Sequence, residues 1–123
     1  MKLSEAIRLG SMIRPQAFGY IFSNSGSCAL GAVYEASGIL AFDDDVTLLE
    51  ETGQRLDQAF PLLKASVSCP VAMRCFRNGV GETIVHLNDW HRWTREQIAD
   101  WVEQIEQQQD VKSVEGHEIE IEV

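Results

Sequence analysis

Three cysteines in 123 residues, an odd number without disulfide-framework spacing, argue against a cystine-stapled secreted fold and fit a reducing cytosol. Basic residues are scarce too. Ten Lys and Arg stand against nineteen Asp and Glu, a formal charge of −9, and such a field repels phosphate backbones and anionic lipid. Nucleic acid is therefore not an expected partner. No apolar run approaches the about 20 residues of a membrane span. Ser4 and Glu5, directly after Lys2 and Leu3, leave no apolar h-region of a signal peptide. Glycine-rich phosphate loops after a strand, serine nucleophile elbows and internal repeats are all missing.

What remains is an ordinary globular composition with ten aromatic residues, which argues against disorder. The length suits a single domain spanning residues 1–123, able to bury roughly two thirds of the surface of its unfolded form. Charge is uneven along it. Residues 94–123 hold nine acids and two bases, so most of the acidity lies in the last segment and reads as a solvated face.

The clearest local signal is Trp93-Thr94-Arg95-Glu96-Gln97-Ile98. Thr94 and Gln97 have the spacing of a capping box, and Trp93 and Ile98 that of a hydrophobic staple. Ile98, Trp101, Val102 and Ile105 then follow the buried stripe of a helix. That tryptophan-bearing stripe is expected to lie over a second helix starting near Cys28. There Cys28 to Ser37 is apolar nearly all round, with Gly31 and Ala32 letting another backbone come close and Gly38 as a left-handed stop.

Two further helices are predicted. One opens at Leu3-Ser4 with Ser4 as cap, faces Leu3, Ile7, Gly10 and Ile13 inward, and ends before Pro15. The other follows a loop through Asp43, Asp44 and Asp45. Thr47 and Glu50 can form its capping box, and Leu49, Thr52, Gly53, Leu56 and Phe60 keep helical spacing up to Pro61. Residues 15–27 read as a loop folding Phe18, Tyr20, Ile21 and Phe22 inward. Thr83 to Leu87 has strand composition, and His117 to Val123 alternates Ile119, Ile121 and Val123 with three glutamates at period two. The fold expected is mainly α, four helices in one domain with a minor β element near 83–87 and 117–123. Its core is expected to gather Trp90, Trp93, Trp101, Leu30, Val33, Leu49, Leu56 and Phe60. Pairing of the C-terminal strand between chains would make a homodimer.

Three constellations could carry chemistry. Cys28, after Gly26-Ser27 at a helix start, has a thiolate favoured by the helix dipole. With His86 or His91 as base and Asn88 or Asp89 as orienting group, it resembles papain-like and cell-wall-peptidase-like thiol enzymes in order and residue type only. The bland account makes Cys28 a small buried hydrophobe. Cys69, Cys75, His86 and His91 form the second set, an allowed zinc donor set of two sulfurs and two imidazoles. Five residues between the cysteines is a wider gap than usual in a metal knuckle. His86 and His91 share an ion only if the turn between them folds back. Third, His86, Asp89 and His91 are the right ligand types for a hydrolytic metal, although Asn88 and Asp89 also read as turn formers. Arg74, Arg77, Arg92 and Arg95 are too few, in so acidic a chain, for a nucleic-acid face.

Cys28-Ala29-Leu30-Gly31-Ala32, with Leu87-Asn88-Asp89 leading into Trp93-Thr94 and Gln97-Ile98-Ala99, resembles small bacterial proteins of unknown function. The likeness covers most of residues 3–105. It implies a bacterial, cytoplasmic origin and brings no activity, ligand or site residue with it. The function expected is a noncatalytic interaction or accessory module with a protein partner. A thiol hydrolase using Cys28 and His86, or a small zinc-binding domain, is the alternative.

Overall fold

In the computed structural model, five α-helices make up most of the described residues: α1 (Leu3–Ser11), α2 (Ala29–Ser37), α3 (Val46–Ala59), α4 (Val80–Asp89) and α5 (Arg95–Glu122). A 3-10 helix at Pro61–Lys64 follows α3. Strands β1 (Phe22–Ser23) and β2 (Gly26–Ser27) form a two-stranded antiparallel ladder, Phe22 opposite Ser27. The structure describes residues 1–19, 22–23, 26–39, 46–72, 75 and 79–122, with side chains omitted for 22–23, 46–50 and 110–122. The Asp43–Asp45 loop, the Thr47/Glu50 box, the inward placing of Leu49, Tyr20, Ile21 and Phe22, and the Arg74 and Arg77 positions lie outside the described residues or side chains.

The helix signals after Trp93 are realised bond for bond. Thr94 N–H donates to Gln97 Oε1 at 2.9 Å, and Gln97 N–H to Thr94 Oγ1 at 3.1 Å. Both halves of the capping box are thus in place, removing two orphan donors at the start of α5. At α2, Cys28 is the cap residue, and Gly38 closes the helix in the left-handed conformation at φ 75°. Helix α1 starts two residues earlier than its serine suggests, with Lys2 rather than Ser4 at the cap position. Ser4 sits inside the first turn, and Glu106 of α5 accepts both its N–H (2.9 Å) and its hydroxyl (2.8 Å), so the cap arrives from the far end of the chain.

Helix α1 is the central layer. It packs most extensively on α2 and next on α5. At the first of these crossings Gly10 meets the backbone of Ala32, so the small residues of α2 do admit a neighbouring helix, and that neighbour is α1. The expectation that α5 lies chiefly over α2 is corrected accordingly. Ile98, Ala99 and Val102 close the core from the α5 side, together with Leu3, Ala6, Ile7, Ala29, Val33, Leu56, Phe60, Ile84 and Leu87. Arg8 reaches outward from α1 to Asp100 (2.7 Å), Glu96 (3.1 Å) and Glu103 (3.1 Å) on α5. These acids hold its guanidinium well above the ordinary arginine range.

Other expectations are overturned. Residues 83–87 are helical, because Val80, Thr83, Ile84 and Leu87 recur at i, i+3, i+4 and i+7 and are all buried; helical period wins over β-branched composition. Residues 117–122 continue α5. No described strand lies beside them, and a helix satisfies their backbone groups internally where a lone strand would not. The edge on which chain-to-chain strand pairing was expected is therefore missing. Trp90 is 75% exposed and Ile13 54%, so neither is core, whereas Trp93 and Trp101 pack against the core half-buried. The mainly helical class stands, with one helix more than expected and the β element elsewhere. No helix among the described residues is long and apolar enough to cross a membrane.

Candidate metal centre

Helix α4 carries one histidine and positions the other, and its setting is fixed by Asn88. This side chain is fully buried. Its Oδ1 accepts from Gln16 Nε2 (2.8 Å) and from the Ala29 N–H at the start of α2 (3.2 Å), while Nδ2 donates to Ala17 O (2.9 Å) and Asp89 Oδ1 (2.8 Å). All four of its hydrogen-bonding positions are used, which locks the rotation of α4 about its own axis. His86 lies two residues earlier, about 200° around the helix, on a different face.

The chain then doubles back at the end of α4. Trp90 N–H and His91 N–H both hydrogen-bond to His86 O, at 2.9 and 3.4 Å, Arg92 takes a left-handed φ of 56°, and Trp93 N–H reaches Leu87 O at 3.0 Å. Outside helix and turn conformers, a positive φ is uncommon for a residue with a side chain. Here the Arg92 guanidinium stacks over the Phe18 ring at 4.6 Å, which holds the turn. The fold-back brings the rings of His86 and His91 edge to face, centroids 4.6 Å apart.

The cysteines arrive on the loop between the 3-10 helix and α4. Val80 N–H donates to Ala65 O at 3.0 Å, so the chain before and after the cysteines is tied together at that point. Cys69 points into the core and is 3% exposed; Cys75 is half-buried. Their sulfurs meet the histidines: the donor atoms of Cys69, Cys75, His86 and His91 all lie within 4.8 Å of one another. His91 Nε2 stands 3.6 Å from Cys69 Sγ and 3.9 Å from Cys75 Sγ.

These spacings can be set against a single ion. With bonds of about 2.3 Å to sulfur and about 2.05 Å to nitrogen at tetrahedral angles, a sulfur and a nitrogen are about 3.6 Å apart, two sulfurs about 3.8 Å and two nitrogens about 3.3 Å. Both measured sulfur–nitrogen separations match that edge to within a few tenths of an ångström. Soft thiolates with borderline imidazoles suit zinc among the common divalent ions. The donor set suits zinc in type, the two His91 nitrogen–sulfur separations suit it in spacing, and the remaining pairs lie within 4.8 Å.

The thiol-enzyme residues are not gathered in this way. Cys28 is 1% exposed, and its sulfur accepts from Gly31 N–H at 3.5 Å. Burial pushes its thiol above the ordinary range, and the Gly31 N–H opposes that shift. Asp89 serves the loop, accepting from Gly19 N–H (2.9 Å) and Asn88. His86 sits with Cys69 and Cys75 instead. Asp89 is likewise outside the four-residue group, so the histidines find sulfur rather than a carboxylate as companions.

Sequence reasoning named Asn88 and Arg95 but did not find their buried, bridging roles. Arg95 is 8% exposed and donates to Arg14 O (2.7 Å), Ser11 O (3.2 Å), Ser27 Oγ (3.3 Å) and Ser27 O (3.4 Å), joining α1, β2 and α5. Little local marks either residue, because every partner but Asp89 is remote in sequence. Compared with family models, with curated proteins and with solved structures, the chain matches none.

Proposed function

We propose that this protein is a noncatalytic helical module whose 66–79 loop is fastened to the end of α4 by one zinc ion, bound by Cys69, Cys75, His86 and His91. The observation that carries this reading is the convergence of four zinc-type donor atoms within 4.8 Å from three separate pieces of chain. Four protein ligands complete a tetrahedron and leave no open position for water or substrate, which is the arrangement of a structural rather than a hydrolytic site. The ion ties a loop whose described residues contain no helix or strand. An accessory or interaction role suits a domain whose candidate thiol nucleophile is buried and protonated.

Protein purified without chelator is expected to carry one zinc per chain by elemental analysis. Cobalt substituted at the site is expected to give the intense visible bands of a tetrahedral thiolate–imidazole complex. Cys69→Ser and His91→Ala are expected to abolish both signals. Free zinc at a thousandfold excess over its dissociation constant stabilises by about 4 kcal/mol. For a chain of this size that raises Tm on the order of 10 °C. Protein that takes up no stoichiometric transition metal at micromolar concentration overturns the reading.

A further inference from the structure

Cys69 and Cys75 differ from Cys28 in two ways that matter together. Their sulfurs lie within 4.8 Å of each other, and one of the two, Cys75, is only half-buried while the other is buried. A disulfide needs a sulfur–sulfur distance of about 2.05 Å, so closure asks for less than about 3 Å of movement. The described residues of the 69–75 segment contain no helix or strand to resist it. Cys28 lies outside this group: it is buried at the start of α2, and its sulfur accepts from Gly31 N–H at 3.5 Å. Zinc would hold Cys69 and Cys75 as thiolates, the form that attacks peroxides.

We infer that Cys69 and Cys75 are a hydroperoxide-reactive pair whose oxidation to a disulfide expels the zinc and frees the loop from α4. The inference rests on the zinc reading for the ion that is expelled. In the first step the thiolate of the half-buried Cys75 attacks the O–O bond, giving a sulfenic acid and releasing alkoxide, or hydroxide from hydrogen peroxide. Next, the Cys69 thiolate attacks the sulfenic sulfur, forming the S–S bond and releasing hydroxide. Two thiolates lose two electrons in all, and the peroxide bond takes them; two protons from solvent convert the released oxygens to water or alcohol. The zinc itself stays divalent throughout. It leaves because two imidazoles alone no longer complete its tetrahedron. A surface depression bordered by Glu82, Val85, His86, Asp89 and Trp90 brings solvent to this end of α4.

The test treats the zinc-loaded full chain with hydrogen peroxide, follows zinc with a chromophoric chelator, and maps disulfides by mass spectrometry of unreduced peptides. One zinc released per Cys69–Cys75 disulfide is expected, with Cys28 still a thiol in the same sample. Dithiothreitol followed by zinc is expected to restore the starting state. Cys75→Ser under the same peroxide treatment is expected to give no intramolecular disulfide at Cys69; Cys28→Ser, which leaves the pair intact, is expected to leave the rate of zinc release unchanged. Zinc retained under peroxide, or Cys75 carried on to sulfinic acid with no disulfide, overturns the redox step and leaves the metal site standing. Protein that never takes up zinc overturns the metal site itself, and the expulsion with it.

Discussion

Replacing Gly10 by alanine sets two ordinary rules against each other, and the structure decides between them. Helix propensity favours the change, since alanine in a helix interior is better than glycine by about 1 kcal/mol. Packing forbids it. A methyl group built at Gly10 overlaps the Ala32 carbonyl carbon and oxygen and comes within 2.6 Å of its Cα. An ordinary carbon–carbon contact is about 3.5–4.0 Å, so α1 and α2 must part by about 1 Å or more. The clash is with backbone, which cannot turn aside as a side chain could. A gap of that size forfeits a quarter to a half of the dispersion contacts along the crossing. Overpacking of this kind costs upward of about 3 kcal/mol where the neighbour cannot relax. Net of the propensity gain, G10A is expected to destabilise by about 2 kcal/mol or more. In urea, with a slope of about 1–3 kcal/mol/M, the midpoint falls by about 1 M. Gly53 is the control. The nearest atom to a methyl group there is the Tyr34 hydroxyl at 3.8 Å, an ordinary contact, so G53A is expected to raise the midpoint. A32G is not expected to rescue G10A, because the obstructing atoms are main-chain. A G10A midpoint equal to or above that of the unmodified protein refutes the close crossing.

Asn88→Asp keeps the two acceptor contacts but can no longer donate to Ala17 O, and it sets a carboxylate against Asp89 Oδ1; equilibrium unfolding should show a loss of about 2–4 kcal/mol at neutral pH that shrinks as acid protonates the new group. Glu106→Ala removes both charge-assisted bonds to the start of α1, about 2 kcal/mol by urea titration. Cys28 should resist alkylation in the folded state and react at once in denaturant; a folded-state rate like that of a free thiol contradicts its burial. Because burial raises its pKa, the folded form binds the proton more tightly than the unfolded one. Its contribution is complete below the unfolded value of about 8.5 and is lost as pH rises toward the folded value. Cys28→Ala should flatten that alkaline fall in stability.

The parts of this fold that were legible in the sequence are those written in neighbouring residues. Thr94 and Gln97 announce the start of α5 three positions apart, and Gly38 ends α2 where a left-handed residue is needed. Thr83-Ile84-Val85 misled because β-branched composition was weighed without the buried positions on either side, Val80 and Leu87, that complete a helical stripe. His117 to Glu122 misled in the opposite sense, its alternation having no strand to pair with among the described residues. The four metal-site residues could be named from donor chemistry alone. Their wide spacing looked unfavourable because the fold-back at Arg92 and the Ala65–Val80 tie, which close the distances, leave no mark of their own. Asn88 read as a turn former for the same reason: its four partners are Gln16, Ala17, Ala29 and Asp89, three of them far away in sequence.

The sandwiching of α1 between α2 and α5 has a consequence for how the molecule is made. Ser4 and Glu106 are 102 positions apart, so at about 5–20 residues per second the opening segment waits roughly 5–20 s for its partner to be translated. Throughout that interval Leu3 and Ile7 have no α5 to cover them. A nascent chain stalled before residue 95 is therefore expected to present a greasy, half-built surface to chaperones, and to close only when the last helix emerges from the ribosome.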